Sequence, residues 1–116
     1  MAEVGGLPEL DVARVRRWCR VRVPDQLRDE VRVECEVAAR HLTILECRPR
    51  WMAARAADWS RLPVARLRYT KSRQEWTLYW HDSNEVFHRF DPAPPSRHVE
   101  ALLTVLDRDP TCIFWG

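Results

Sequence analysis

Val64-Ala-Arg-Leu-Arg-Tyr-Thr70, Trp76-Thr-Leu-Tyr-Trp80 and Val86-Phe-His-Arg-Phe90 are three alternating apolar–polar runs, and their reading decides the fold. A period of two marks a strand with one buried face. A turn at Lys71-Ser72-Arg73-Gln74 sets Tyr69 against Trp76, Leu67 against Leu78 and Ala65 against Trp80. Asp82-Ser83-Asn84 suits a three-residue hairpin loop in which Asn84 takes the left-handed conformation that Asn tolerates. That loop sets Val86 against Trp80, His88 against Leu78 and Phe90 against Trp76.

The pattern extends upstream. Arg28 to Val37 alternates, with Val31, Val33, Cys35 and Val37 on one side and Arg32, Glu34 and Glu36 on the other. A turn at Ala38-Ala39-Arg40-His41 places Val37 opposite Leu42 and Cys35 opposite Ile44, so a second strand joins the same apolar face. Before them, Leu10 to Arg22 has helical spacing, with Leu10, Val15, Trp18 and Cys19 on the packing side and arginines elsewhere; Pro24 ends it. Downstream, Asp91-Pro92-Ala93-Pro94-Pro95 crosses over, and Ser96 is placed to cap a helix whose Val99, Leu102, Leu103 and Leu106 fall on one stripe. Asp109-Pro110 stops that helix, and the uncharged Thr111 to Trp115 is expected to dock on the sheet. Residues 48–63 show no clear period and read as an irregular connection with a helical turn at Met52–Ala57. Residues 1–8 read as flexible. The expected architecture is α+β, a single domain over 1–116: an antiparallel meander of about five strands, flanked by an N-terminal and a C-terminal helix.

Composition narrows the class. The chain has 116 residues, 46 % hydrophobic and 31 % charged, so it can bury a core. No apolar run approaches the ~18–20 residues of a membrane helix, and the acidic start lacks a signal-peptide pattern, so a cytoplasmic protein with no membrane partner is expected. The net charge of +2 is small, but it is unevenly spread. Residues 48–73 hold eight bases and one acid, whereas 74–116 hold three bases and seven acids. Cys19, Cys35, Cys47 and Cys112 show no Cys-x-x-Cys pair and no nearby His, which argues against a zinc site; they read as free, small hydrophobes. Neither a metal nor a cofactor is expected.

The blocks Arg68-Tyr-Thr-Lys-Ser, Trp76-Thr-Leu-Tyr-Trp-His-Asp-Ser-Asn and Phe87-His-Arg-Phe-Asp, with the ending Asp107-Arg-Asp-Pro-Thr-Cys-Ile-Phe-Trp-Gly, resemble a small bacterial, largely actinobacterial family known as a domain of unknown function (DUF3024). The resemblance runs from the Trp18-Cys19 helix to Gly116. It implies no activity, cofactor or catalytic residue. Such sequences often carry a glycine in the turn where this chain has Arg73-Gln74.

Function must then be read from residue types. The polar side of the last three strands carries Arg66 and Arg68, Thr77 and Tyr79, and Phe87 and Arg89, so cations and aromatic rings interleave. Such a surface suits phosphate contact with base stacking. The alternative is a second buried layer with Tyr79 and Phe87 packed beneath a helix or a partner chain. The expected function is a non-enzymatic binding module holding RNA, DNA or another polyanion on Arg66, Arg68, Tyr79, Phe87 and Arg89. A protein-interaction or homodimer module is the next reading, from the apolar Ile113-Phe114-Trp115 ending. A small enzyme using His81, Asp82 and His88 comes third. Trp51 and Trp59, in the basic connection, either anchor it to the sheet or stack on a ligand.

Overall fold

The structure is a computed structural model that describes residues 3–4, 6–50 and 58–115. Among these the order is β1 (Glu3–Val4), β2 (Leu7–Pro8), α1 (Glu9–Arg22), a 3-10 turn at Asp25–Leu27, β3 (Arg32–Val37), β4 (His41–Arg50), β5 (Asp58–Thr70), β6 (Glu75–His81), β7 (Phe87–Arg89) and α2 (Val99–Arg108). Strands β3 to β7 form one antiparallel sheet in chain order, the α+β meander expected.

The alternating residues fix the register where both partners were legible. Val37 faces Leu42 and Cys35 faces Ile44. Tyr69 faces Trp76, Leu67 faces Leu78 and Ala65 faces Trp80. Leu42, Ile44, Ala65, Leu67, Trp76 and Leu78 are buried and share one core with Val12, Val15 and Cys19 of α1 and Val99, Leu102, Leu103 and Leu106 of α2. Both helices therefore lie on the same side of the sheet. Trp76 is wholly buried, and its indole N–H donates to Asp11 Oδ2 at 2.8 Å, tying the first turn of α1 to the sheet centre. Leu10, expected to pack, is instead 68 % exposed, and Val12 takes its place.

The region 48–63 is the main correction. Its lack of a period predicts an irregular connection, yet β4 and β5 continue as a paired ribbon through Cys47↔Arg61 and Pro49↔Trp59 to Arg50↔Asp58. A register shift between Ile44 and Leu45 puts Leu45 opposite Pro63 and Ile44 opposite Ala65, so Val64 is the extra residue of a bulge. A bulge tolerates a proline and resets the alternation, which is why the pattern broke there. The helical turn at Met52–Ala57 and the role of Trp51 lie outside the described residues.

The β6–β7 loop is the second correction. Trp80 faces His88 and His81 faces Phe87, a shift of two residues from the expected register that keeps every side chain on its expected face. Asp82 drives it: its Oδ1 accepts the backbone N–H of Asn84 and of Val86, and the left-handed residue is Glu85 (φ 63), not Asn84. In the β5–β6 turn Gln74 is left-handed (φ 54), at the place where glycine would be at ease. Ser96 does not cap α2. It pairs with Trp76 through both backbone bonds, its hydroxyl accepts the His98 N–H, and His98 stands at the helix start.

Near the N-terminus Leu7 is wholly buried in the core; Gly6 beside it is left-handed, and a Cβ there would meet the Ala39 carbonyl oxygen at 2.9 Å. At the other end Asp109 accepts the N–H groups of Phe114 and Trp115, and the Trp115 indole donates to Leu106 O at 2.8 Å. Phe114 is buried edge-on to Phe90, with ring centres 5.0 Å apart.

Candidate functional site

With both helices on one side, no described element covers the other. On that open face Arg66 of β5 stands between Thr43 of β4 and Tyr79 of β6, and Tyr79 in turn faces Arg89 of β7. Arg68 faces Thr77 and His41. The five residues expected to form the polyanion site are thus brought together by cross-strand neighbourhood, where opposite Cβ atoms lie about 4.5–5.5 Å apart.

Their environments differ. The Arg66 guanidinium lies 3.9 Å from the centre of the Phe87 ring, and its Nε donates to Thr43 Oγ1 at 3.1 Å. Burial pulls its pKa down, a shift that Glu36 opposes. Arg68 and Arg89 are exposed, and Tyr79 is half-buried. Arg89 pairs with the exposed Asp91, at 3.9 Å. Among the described residues the carboxylate pairs of arginine are made by Arg14, Arg22, Arg28, Arg48, Arg61 and Arg89; Arg66 and Arg68 make none.

The face has a neutral half and a cationic half. Towards β3, Arg61 bridges Glu34 at 3.1 Å and Glu36 at 3.2 Å, and Arg32 lies 4.0 Å from the centre of the Trp59 ring. Trp59 thus anchors the ribbon through Arg32. Beneath these, Leu45 and Cys47 are buried, and burial pushes the Cys47 thiol up. Towards β7, Arg66 and Arg68 make no ion pair among the described residues.

That half continues into an open depression of about 710 Å³ lined by Arg40, Arg68, Lys71, Arg73, Tyr79 and Arg89, with Glu75 as its one carboxylate. A second depression of about 590 Å³ adjoins it and shares Arg40, Arg68 and Tyr79, adding His41, Arg66 and Phe87. The field is felt by His41, whose pKa is lowered by burial first and then by Arg66 and Arg68. Sequence reasoning missed Arg40, Lys71 and Arg73. A signal existed: in a meander the 38–41 and 71–74 turns fall at the same end of the sheet, and the Tyr69 N–H donates to Arg40 O at 2.8 Å to join them.

The alternative catalytic trio does not converge. His88 Nε2 meets Asp82 Oδ2 at 2.5 Å, and this bond, followed by the Val86 N–H, holds the Asp82 carboxyl below its usual range. His81 lies on the open face against Phe87, one residue further along β6 than Trp80, against which His88 stacks. Asp82 and His88 therefore shape a turn, and His81 stands apart from them. Among the described residues no three His, Cys, Asp or Glu side chains are grouped to hold a metal ion, and no helix is long and apolar enough to cross a membrane.

A family model matches residues 6–116, and it carries no activity with it. The chain belongs to a domain of unknown function (DUF3024). Comparison with curated proteins and with solved structures returns no match. Several residues by which the DUF3024 resemblance is read, Trp76, Phe90 and Phe114, are buried in the core. They specify the fold and say little about a ligand.

Proposed function

We propose that this protein is a non-enzymatic binding module whose open sheet face holds a polyanion, with single-stranded nucleic acid as the ligand class that fits best. One observation carries the reading: Arg66, Arg68 and Arg89 surround Tyr79 on a face with no helix over it, and two of the three make no ion pair among the described residues. Guanidinium groups suit phosphate oxygens, and a half-exposed tyrosine ring offers a base a stacking surface. Arg40, Lys71 and Arg73 prolong the basic path beyond the strands. In the apolar tail that suggests a homodimer, Phe114 packs inward while Ile113 and Trp115 stay half-buried, so the open face supports the polyanion reading more directly.

Three phosphate contacts on a single strand give a slope of log Kobs against log salt near −2, at about 0.7 per contact. Fluorescence anisotropy of labelled oligonucleotides across a salt series measures it. Binding of similar strength to unrelated sequences, with that slope, supports the reading; no binding to any oligonucleotide at low salt overturns it.

A further inference from the structure

The groove between α1 and the edge strand β3 brings together two thiols at the margin of the core, Cys19 within it and Cys35 packed against it. Cys19 of α1 is 3 % exposed, and Cys35 of β3 is half-buried. Both are free, and both line the groove together with Arg16, Arg20, Arg28 and Arg32. The two thiols lie close enough to perturb each other's acidity, and Arg16 stands beside Cys35 in the same groove. Of the carboxylates only Glu34 lines the groove, and Arg61 holds it at 3.1 Å. A thiol set among guanidinium groups, with a second thiol in the same groove, is the arrangement of an oxidisable pair rather than of two inert fillers.

We propose that Cys35 is a peroxide-reactive thiolate and Cys19 its resolving partner, so that a hydroperoxide converts the pair into a disulfide joining α1 to β3. The Cys35 sulfur attacks the peroxide; an S–O bond forms, the O–O bond breaks, and the alkoxide or hydroxide leaves and takes a proton from solvent. Cys19 then gives up its proton and attacks the Cys35 sulfur; the S–S bond forms, the S–O bond breaks, and water departs. Two thiols lose two electrons, and the peroxide is reduced to one alcohol or water and one further water.

The acidities agree with Cys35 as the thiol that attacks first. The hydrogen bond with Cys35, then burial, pushes the Cys19 thiol far up. The hydrogen bond from Cys19 lowers Cys35 to about 7 against the effect of burial, with Arg16 adding to the fall and Glu34 opposing it. A thiol with a pKa near ambient pH attacks best.

The test uses hydrogen peroxide on the whole chain, with Cys112→Ser to remove the exposed thiol. Expected are the loss of two thiols, a mass lower by two hydrogens, and a peptide map joining Cys19 to Cys35. Cys19→Ser should stop at a Cys35 sulfenic acid that dimedone traps, and Cys35→Ser should leave Cys19 unoxidised. Alkylation of Cys35 by iodoacetamide should be half-maximal near pH 7 and shift upward in Arg16→Ala. Oxidation of Cys47 ahead of Cys35, no Cys19–Cys35 link in the map, or an alkylation midpoint at an ordinary thiol's ~8.5 overturns the proposal. Should Cys19→Ser not fold, the cross-link map and the midpoint decide alone.

Discussion

Arg22 and Arg66 both lie on aromatic rings, and their surroundings differ in one respect. Arg22 sits 5.1 Å from the Trp18 ring centre and 4.1 Å from that of Trp115, and it is paired with Asp107, whose other oxygen accepts the Trp18 indole N–H at 3.1 Å. Arg66 sits on Phe87 and donates to the Thr43 hydroxyl, and among the described residues it makes no ion pair, Glu36 acting on it only from a distance. The first group is closed: Asp107 accepts from both the Arg22 guanidinium and the Trp18 indole, and the charge is cancelled where α1, α2 and the tail meet. The second is equally well packed but leaves its charge to the solvent. Stacking of a cation on a ring therefore says little about function; the presence or absence of a counterion distinguishes a clasp from a binding surface.

The largest effect should come from the closed side. Phe114→Ala removes a buried ring from the core, so thermal or denaturant unfolding should report a loss of ~3–5 kcal/mol. An unchanged melting temperature would mean that the tail contributes nothing to the clasp.

Next comes the open side. Tyr79→Ala should weaken oligonucleotide binding by roughly 1–3 kcal/mol, the worth of a stacked base, while stability falls well short of a lost core aromatic. A large loss of stability without a loss of binding would turn the open face into a second packing layer.

The arginines themselves separate the two sites directly. Arg22→Ala should destabilise the fold by roughly 1–2 kcal/mol, since two exposed-type cation–π contacts and a partly exposed ion pair go together. The pair Arg66→Ala and Arg68→Ala should flatten the salt slope of binding by about 1.4, at 0.7 per phosphate, with little change in unfolding. Equal effects of both replacements on stability would erase the distinction.

The smallest effect concerns His41. Its folded pKa lies below its unfolded ~6.5, so the unfolded chain takes up the proton first as pH falls. This contribution to stability is whole above pH ~6.5 and is lost below it, towards the folded value. A bound polyanion supplies negative charge beside Arg66 and Arg68 and should raise the His41 midpoint. NMR titration with and without oligonucleotide would show it; an unmoved midpoint would place the ligand elsewhere.

Legibility followed the alternation. Leu67 against Leu78 and Cys35 against Ile44 were readable because both strands of each pair kept a strict period of two. The β4–β5 ribbon was hidden by Pro49 and Pro63, which read as breakers, and by the bulge at Val64, where Val64 and Ala65 are both buried in succession. The five residues of the open face were named correctly as neighbours, because the two-residue slip in β7 preserves parity. Arg40 was not, since its approach to Arg68 depends on two turns far apart in sequence closing at one end of the sheet. The thiol pair was missed for the same reason: each cysteine alone looks like a small core residue, and only the packing of α1 on β3 makes them partners.

The chain-order arrangement of β3 to β7 also bears on how the molecule assembles. Each strand pairs with the one just before or after it, so every hairpin closes a short loop and loses little chain entropy in doing so. The contacts joining Trp18 and Arg22 to Asp107 and Trp115 span nearly the whole chain and reward closure only after the meander exists. The sheet should zip early and the clasp shut last. Weakening the clasp should then quicken unfolding while leaving the refolding rate nearly unchanged.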